Sequence, residues 1–295
     1  MAILSAFADE VTDDFKGQID FLASEHVGFI EIRFVNKKNV VDLTQAELRD
    51  SNQLMHDSGI RVSAVASPVG KVRIDEPFRQ HVEKFKHAID AALLFQSPFI
   101  RIFSFYPPEG ERIETYRTEV IERLRKMVEL LEDTSLVMVH ENEKDIYGSS
   151  AENCVDLVKS IDSPKLRLAY DPANFVWGEK ITNNYDVCWH KMKPYVVHVH
   201  IKDWKLGNDH AGSMPGEGDG QVRNLLEDLA RMKYGGFLTV EPHLKSGGQF
   251  GGETGPELFS QAIAATRSLC REVGLPCDQD AGPLFEMNDS ESETS

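Results

Sequence analysis

The spacing of four acidic and imidazole side chains constrains the fold of this chain more than any other feature. Glu141, Asp171, His200 and Glu241 each close an apolar run, and successive members lie 30, 29 and 41 residues apart. The runs are Leu136-Val-Met-Val-His-Glu141, Leu166-Arg-Leu-Ala-Tyr-Asp171, Val196-Val-His-Val-His-Ile-Lys-Asp203 and Phe237-Leu-Thr-Val-Glu241. A strand followed by a helix takes about 30 residues in a barrel of about 250. The recurrence therefore puts one ligand-type side chain at the C-terminal tip of each of four parallel strands. In such barrels that end carries the chemistry.

Alternation along the strands agrees, because side chains two apart share a face. Val197, Val199 and Ile201 oppose His198 and His200; Leu238 and Val240 oppose Thr239 and Glu241; Leu166, Leu168 and Tyr170 oppose Arg167, Ala169 and Asp171. The apolar sets face helices, and the polar sets converge on one axis. Strand-like runs near 3–8, 28–34, 60–67 and 98–104 precede these four, which together with 135–141, 166–171, 196–201 and 237–241 makes eight. Helical stripes fall between them, such as Phe15, Ile19 and Leu22, or Phe78, Val82, Phe85, Ile89 and Leu93. Thr44-x-x-Glu47 and Ser149-x-x-Glu152 read as capping boxes opening two helices. The expected fold is α/β, a single (β/α)8 TIM barrel over residues 1–283 with a short disordered acidic tail over 284–295, whose Asp, Glu, Ser and Thr residues have little apolar surface to bury. A glycine-rich loop, Gly212 to Gly220, explains the 41-residue step and is expected to overhang the site. A second, at 247–255, reads as a mobile lid or, less readily, a phosphate loop.

Composition narrows the partners. A net charge of −16 with no compensating basic block disfavours nucleic acid and anionic membrane, which are held by clustered Lys and Arg. No apolar run approaches the roughly 20 residues of a membrane span. The N-terminus lacks the basic start of a signal peptide. Cys154, Cys188, Cys270 and Cys277 have neither metal-site spacing nor disulfide-scaffold density. A cytoplasmic protein is expected, with a homo-oligomer admitted. Three carboxylates and one imidazole suit one divalent ion; Mn²⁺ is favoured, and Mg²⁺, Co²⁺ and Zn²⁺ are compatible.

Several segments, in order along the chain, resemble a known family. His140-Glu-Asn142, Tyr170-Asp-Pro-Ala-Asn174, His198-Val-His-Ile-Lys-Asp203, Pro215-Gly-Glu-Gly-Asp219, Val240-Glu-Pro242 and Gly255-Pro-Glu-Leu-Phe259 are similar to motifs of the sugar phosphate isomerase/epimerase superfamily, whose barrels are like xylose isomerase and endonuclease IV. The resemblance covers roughly residues 3–275. It implies that Glu141, Asp171, His200 and Glu241 bind one divalent metal and that Glu141 and Glu241 also serve as the acid/base pair. Two such carboxylates could take a proton from one face of an enediolate and return it to the other.

The ketose 3-epimerases of the superfamily commonly carry a histidine where this chain has Asn174, and an arginine where it has Lys202-Asp203. The expected substrate therefore ranges over small keto or aldo sugars, their phosphates, inososes, hydroxypyruvate, keto-glycosides and dehydroshikimate. Isomerisation or epimerisation leads, and a lyase or dehydratase acting through the same intermediate is the near alternative. An endonuclease-IV-like repair enzyme is disfavoured, because the further metal ligands and the basic DNA surface are missing. A catalytically silent sugar-binding barrel is opposed by the intact glutamates. Expected substrate contacts are Asn174, Lys202 and Asp203 beside the ligands, Lys71 in the segment Ser67 to Lys71, Glu217 in the glycine-rich loop, and His243 after strand eight. Glu31 joins them from strand two, where a buried ion-pair layer with Arg33, Arg101 and Arg167 is the competing reading. Trp177 would wall the site with Trp204 and Phe250. His198 reads as a supporting histidine one layer deeper than the ligands.

Overall fold

Each of the eight apolar runs becomes a strand of one closed parallel barrel. The strands are β1 (Ile3–Ala6), β2 (Phe29–Ile32), β3 (Arg61–Ala66), β4 (Phe99–Ile102), β5 (Val137–Glu141), β6 (Leu166–Tyr170), β7 (Val196–Ile201) and β8 (Phe237–Val240). Closure comes from β1 pairing with β8, Ile3 opposite Phe237 through Ala6 opposite Val240. The computed structural model describes residues 1–248 and 251–277; Phe250 and the tail expected from residue 284 lie outside the described residues.

Val199, Ile201, Leu238 and Val240 are fully buried against the helices, whereas Glu31, His198, His200 and Thr239 are fully buried among the strands. A barrel interior of this kind must satisfy its own polar groups. It does so in part between strands, Ser5 Oγ with Ser63 Oγ at 2.7 Å and His198 Nε2 with Glu31 Oε2 at 2.6 Å.

The outer ring consists of α1 (Phe15–Ser24), α2 (Gln45–Asp57), α3 (Phe78–Leu94), α4 (Arg117–Glu129), α5 (Ala151–Ile161), α6 (Pro172–Trp177), α7 (Val222–Arg231) and α8 (Pro256–Val273). Phe15, Ile19 and Leu22 form the buried stripe of α1 as their spacing predicts. On α3 the stripe shifts. Leu93 is exposed, and Phe85, Ala88, Ile89, Ala91 and Ala92 carry the packing. Thr44 opens α2 in a complete capping box with Glu47. The second box does not form, because Tyr147–Ser149 is taken up by a 3-10 turn and Ser150 becomes a simple cap, accepting from the Asn153 amide. Among the described residues no helix is long and apolar enough to cross a membrane.

Candidate functional site

At the C-terminal rim, the ends of β5, β6, β7 and β8 bring Glu141, Asp171, His200 and Glu241 together. Their donor atoms lie within 4.8 Å of one another. His200 Nδ1 is 3.4 Å from Glu141 Oε1, 3.6 Å from Glu241 Oε2 and 3.9 Å from Asp171 Oδ2. Asp171 reaches this point while capping α6: its Oδ1 accepts from the Asn174 amide at 3.0 Å, with Pro172 at the first helical position, and its Oδ2 is left buried without a hydrogen bond. Asn142 locks the same aspartate from behind, donating to its carbonyl and accepting from its amide.

Both glutamates are held at two ends. The inner oxygens face His200. The outer oxygen of Glu241, Oε1, accepts from Arg33 Nη1 at 2.7 Å and lies 3.2 Å from His243 Nε2. The outer oxygen of Glu141, Oε2, lies 3.2 Å from Arg101 Nη1 but has no hydrogen bond. Arg33 and Arg101 both approach the Phe7 ring, so one aromatic side chain spaces the two anchors. Burial opposes ionisation of both carboxyls. It is outweighed for Glu141 by His200 and Arg101, which hold it at about 2, and for Glu241 by Lys202, His243 and Arg33, which hold it well below its ordinary value. Nearby Glu10 shows the reverse balance. Burial outweighs Arg33 and lifts it to about 8, while burial and Lys202 lower His243 to about 4.

The four side chains fit a divalent ion. Donors each about 2.1 Å from one ion sit roughly 3.0–3.4 Å apart; the separations at His200 run from 3.4 to 3.9 Å, so the side chains would draw in by up to about an ångström on an ion. Asp171 Oδ2 and His200 Nδ1, which face one another, are buried without hydrogen bonds, a pattern that a shared cation would resolve. Burial disfavours a charged His200, yet Glu31 and Glu141 raise its pKa well above the ordinary value; an ion at Nδ1 would take the place of that proton. Two neighbouring groups offer the same ligand types. In the group of Glu10, Glu241 and His243 both carboxylates already pair with Arg33, and Glu31, His198 and His200 are sealed beneath the rim.

Above the cluster is a cleft of about 430 Å³ lined by Arg33, Arg101, Lys71, Glu143, Lys202 and His243 with both glutamates. A second lobe of about 260 Å³ adds Asn174, Trp177 and Trp204. Of the expected substrate contacts, Lys71, Asn174, Trp177, Lys202 and His243 line these clefts. Lys202 Nζ lies 3.4 Å from both Asp171 Oδ2 and Glu241 Oε2, and Asn174 Nδ2 donates to Glu141 Oε1 at 3.0 Å. Lys71 pairs with Glu143 at 2.8 Å across the mouth. Its loop requires Gly70 (φ +94°), where a Cβ would run into the Phe103 backbone.

Three expected contacts lie elsewhere. Glu31 is buried below the cluster on His198 and His200. Glu217 is exposed and outside the cleft lining. Asp203 accepts four backbone N–H groups, from Trp204, Gly216, Gly218 and Gly220, at 2.9 Å each. It ties the glycine-rich loop down, and this is why that loop does not line the cleft. Arg167 sits at the start of β6, donating to the Ser163 and Leu166 carbonyls, away from the other arginines. Gly251, in the hairpin Ser246–Gly248 and Gly251–Glu253, does reach the cleft. The anchors Arg33 and Arg101 and the pair partner Glu143 also line it; the arginines were legible as alternating strand residues, Glu143 by no signal beyond its closeness to Glu141.

Replacing Asp203 with Ala should cost about 3 kcal/mol or more, since several buried donors lose a charged acceptor together. Thermal melting should show a drop of several degrees. A melting point equal to wild type would mean that the loop has another anchor.

A family model described as the xylose isomerase-like TIM barrel matches residues 19–269. An uncharacterised protein of Methanocaldococcus jannaschii is 28% identical over 225 residues, which is 70% of this chain and 70% of that protein. Among solved structures, D-psicose 3-epimerase of Clostridium cellulolyticum H10, determined with D-tagatose, superposes with a TM-score of 0.71 at 16% identity, covering 93% of this chain and 100% of that one. A probable 3-DHS dehydratase of Bacillus anthracis superposes with a TM-score of 0.71 at 13% identity, covering 90% and 99%. At these identities the two superpositions speak for the fold alone.

Proposed function

Since this chain belongs to the xylose isomerase-like TIM barrel family, we propose that it is a divalent-metal-dependent isomerase or epimerase of a small keto or aldo sugar, or of its phosphate. The observation that carries this reading is the pair of glutamates. Glu141 and Glu241 both line one cleft, each with one oxygen toward His200 Nδ1 and the other toward an arginine. Two carboxylates held this way can act on opposite faces of a substrate carbon. A divalent ion bound by Glu141, Asp171, His200 and Glu241, Mn²⁺ being favoured, supplies Lewis acidity to the negative charge that develops when a proton leaves beside a carbonyl. Arg33 and Arg101 keep the glutamates ionised and oriented. Lys202, Asn174 and His243 are placed to hold sugar hydroxyls, and Trp177 offers an apolar face to the ring.

Elimination of water is the second reading. Lys202 favours it, because its ammonium stands beside two of the ligand carboxylates and faces the cleft, where it could protonate a departing hydroxyl. Incubating the Mn²⁺-loaded protein in heavy water with a panel of ketoses, inososes and keto-glycosides tests both. Deuterium beside the carbonyl together with an isomeric product is expected. A dehydrated product moves the assignment to the lyase, and no exchange with any member of the panel removes the proton-transfer reading.

A further inference from the structure

One fully buried carboxylate under the site has no part in the chemistry above. Glu31 stands on β2, where the pairing with β3 shifts register between Ile30 and Glu31; such irregularities re-aim a side chain. Its Oε2 is hydrogen-bonded to His198 Nε2 at 2.6 Å and lies 3.3 Å from His200 Nε2, a nitrogen that is buried without a hydrogen bond; all three side chains are fully buried. His198 Nε2 also lies 3.1 Å from Thr239 Oγ1. The His200 ring is wedged edge-on between Phe7, at 5.4 Å between centroids, and His198, at 5.3 Å.

An imidazole has two ring nitrogens, and in the neutral form one donates while the other accepts. The two nitrogens of His200 face different groups. Nδ1 looks into Glu141, Asp171 and Glu241, and Nε2 looks down at Glu31. With the proton on Nδ1, the Nε2 lone pair would oppose the Glu31 carboxylate inside the barrel. With the proton on Nε2, the Glu31 carboxylate at 3.3 Å is the acceptor it faces, and the Nδ1 lone pair is left for the rim. A carboxylate behind a metal-binding histidine is a recurrent means of setting ring orientation and donor strength.

We propose that Glu31 is the positioning residue of the metal centre, accepting the Nε2 proton of His200 so that Nδ1 is presented to the ion, with His198, itself in contact with Thr239, bracing the carboxylate from the next layer. This inference rests on the proposed metal site, and it moves Glu31 from substrate contact to support of a ligand. It also accounts for His198, which shares the inward face of β7 with His200 but does not reach the rim.

The test compares Mn²⁺ affinity of the full-length wild type and Glu31→Gln by titration calorimetry at neutral pH. The substitution is isosteric and should weaken binding by about 10–100-fold, the range for outer partners of a metal ligand. Long-range nitrogen–proton NMR of wild-type imidazoles gives an independent readout that needs no variant and does not depend on turnover. The His200 proton is expected on Nε2 in the Mg²⁺-loaded protein. Mn²⁺ affinity in Glu31→Gln within about twofold of wild type, well short of that range, overturns the proposal, and so does a His200 proton on Nδ1. Wild-type protein that took up no ion would instead overturn the metal reading together with this one.

Discussion

Glu141→Gln and Glu241→Gln should each slow turnover by about 10² or more, with a much smaller change in KM, because each removes a general acid/base group while leaving its shape. The two variants should differ in what survives. The outer oxygen of Glu241 is occupied by the 2.7 Å hydrogen bond from Arg33 and faces His243, whereas the outer oxygen of Glu141 is buried with no hydrogen bond. Glu141 therefore has the freer oxygen for receiving a proton. In Glu241→Gln, exchange of the substrate proton with solvent should persist without product; in Glu141→Gln, exchange and product should fall together. Metal content must be measured in the same samples, since a ligand has also been altered. Full activity in both metal-loaded variants would shift proton transfer to other groups, with His243 and Lys202 the next to test.

The rim was legible in the sequence because two independent periodicities agreed on it. The recurrence near 30 residues located the strand tips, and the two-residue alternation aimed His200 and Glu241 inward. What could not be read was which inward side chains stop short of the cleft. Glu31 and His200 carry the same inward signature, yet they occupy different layers, and layer depth depends on barrel stagger rather than on any local pattern. Asp203 failed for another reason. A carboxylate two residues beyond a strand end looks the same whether it meets a substrate or a loop, and Gly216, Gly218 and Gly220 supply its partners from residues 13 to 17 positions downstream. Arg33 and Arg101 were visible as buried charges needing partners; that their partners would be Glu241 and Glu141 required the closed barrel, since Arg33 and Glu241 are 208 residues apart.

Substitutions at Asp171 and His200 should remove the ion altogether. Wild-type protein purified without chelator should carry close to one divalent ion per chain by elemental analysis. His200→Ala deletes the one nitrogen donor of the cluster and should weaken binding by more than about 100-fold, beyond the effect expected of an outer partner such as Glu31. Asp171 needs a more careful comparison because it also caps α6 through the Asn174 amide. Asp171→Ala loses the cap, at about 1 kcal/mol, as well as the donor. Asp171→Asn can keep the cap while losing the charge. If the aspartate acts mainly as a ligand, both variants lose metal and activity, and Asp171→Asn melts close to the metal-free wild type. If it is mainly a helix cap, Asp171→Asn retains full metal loading, and the assignment of Asp171 to the metal centre fails.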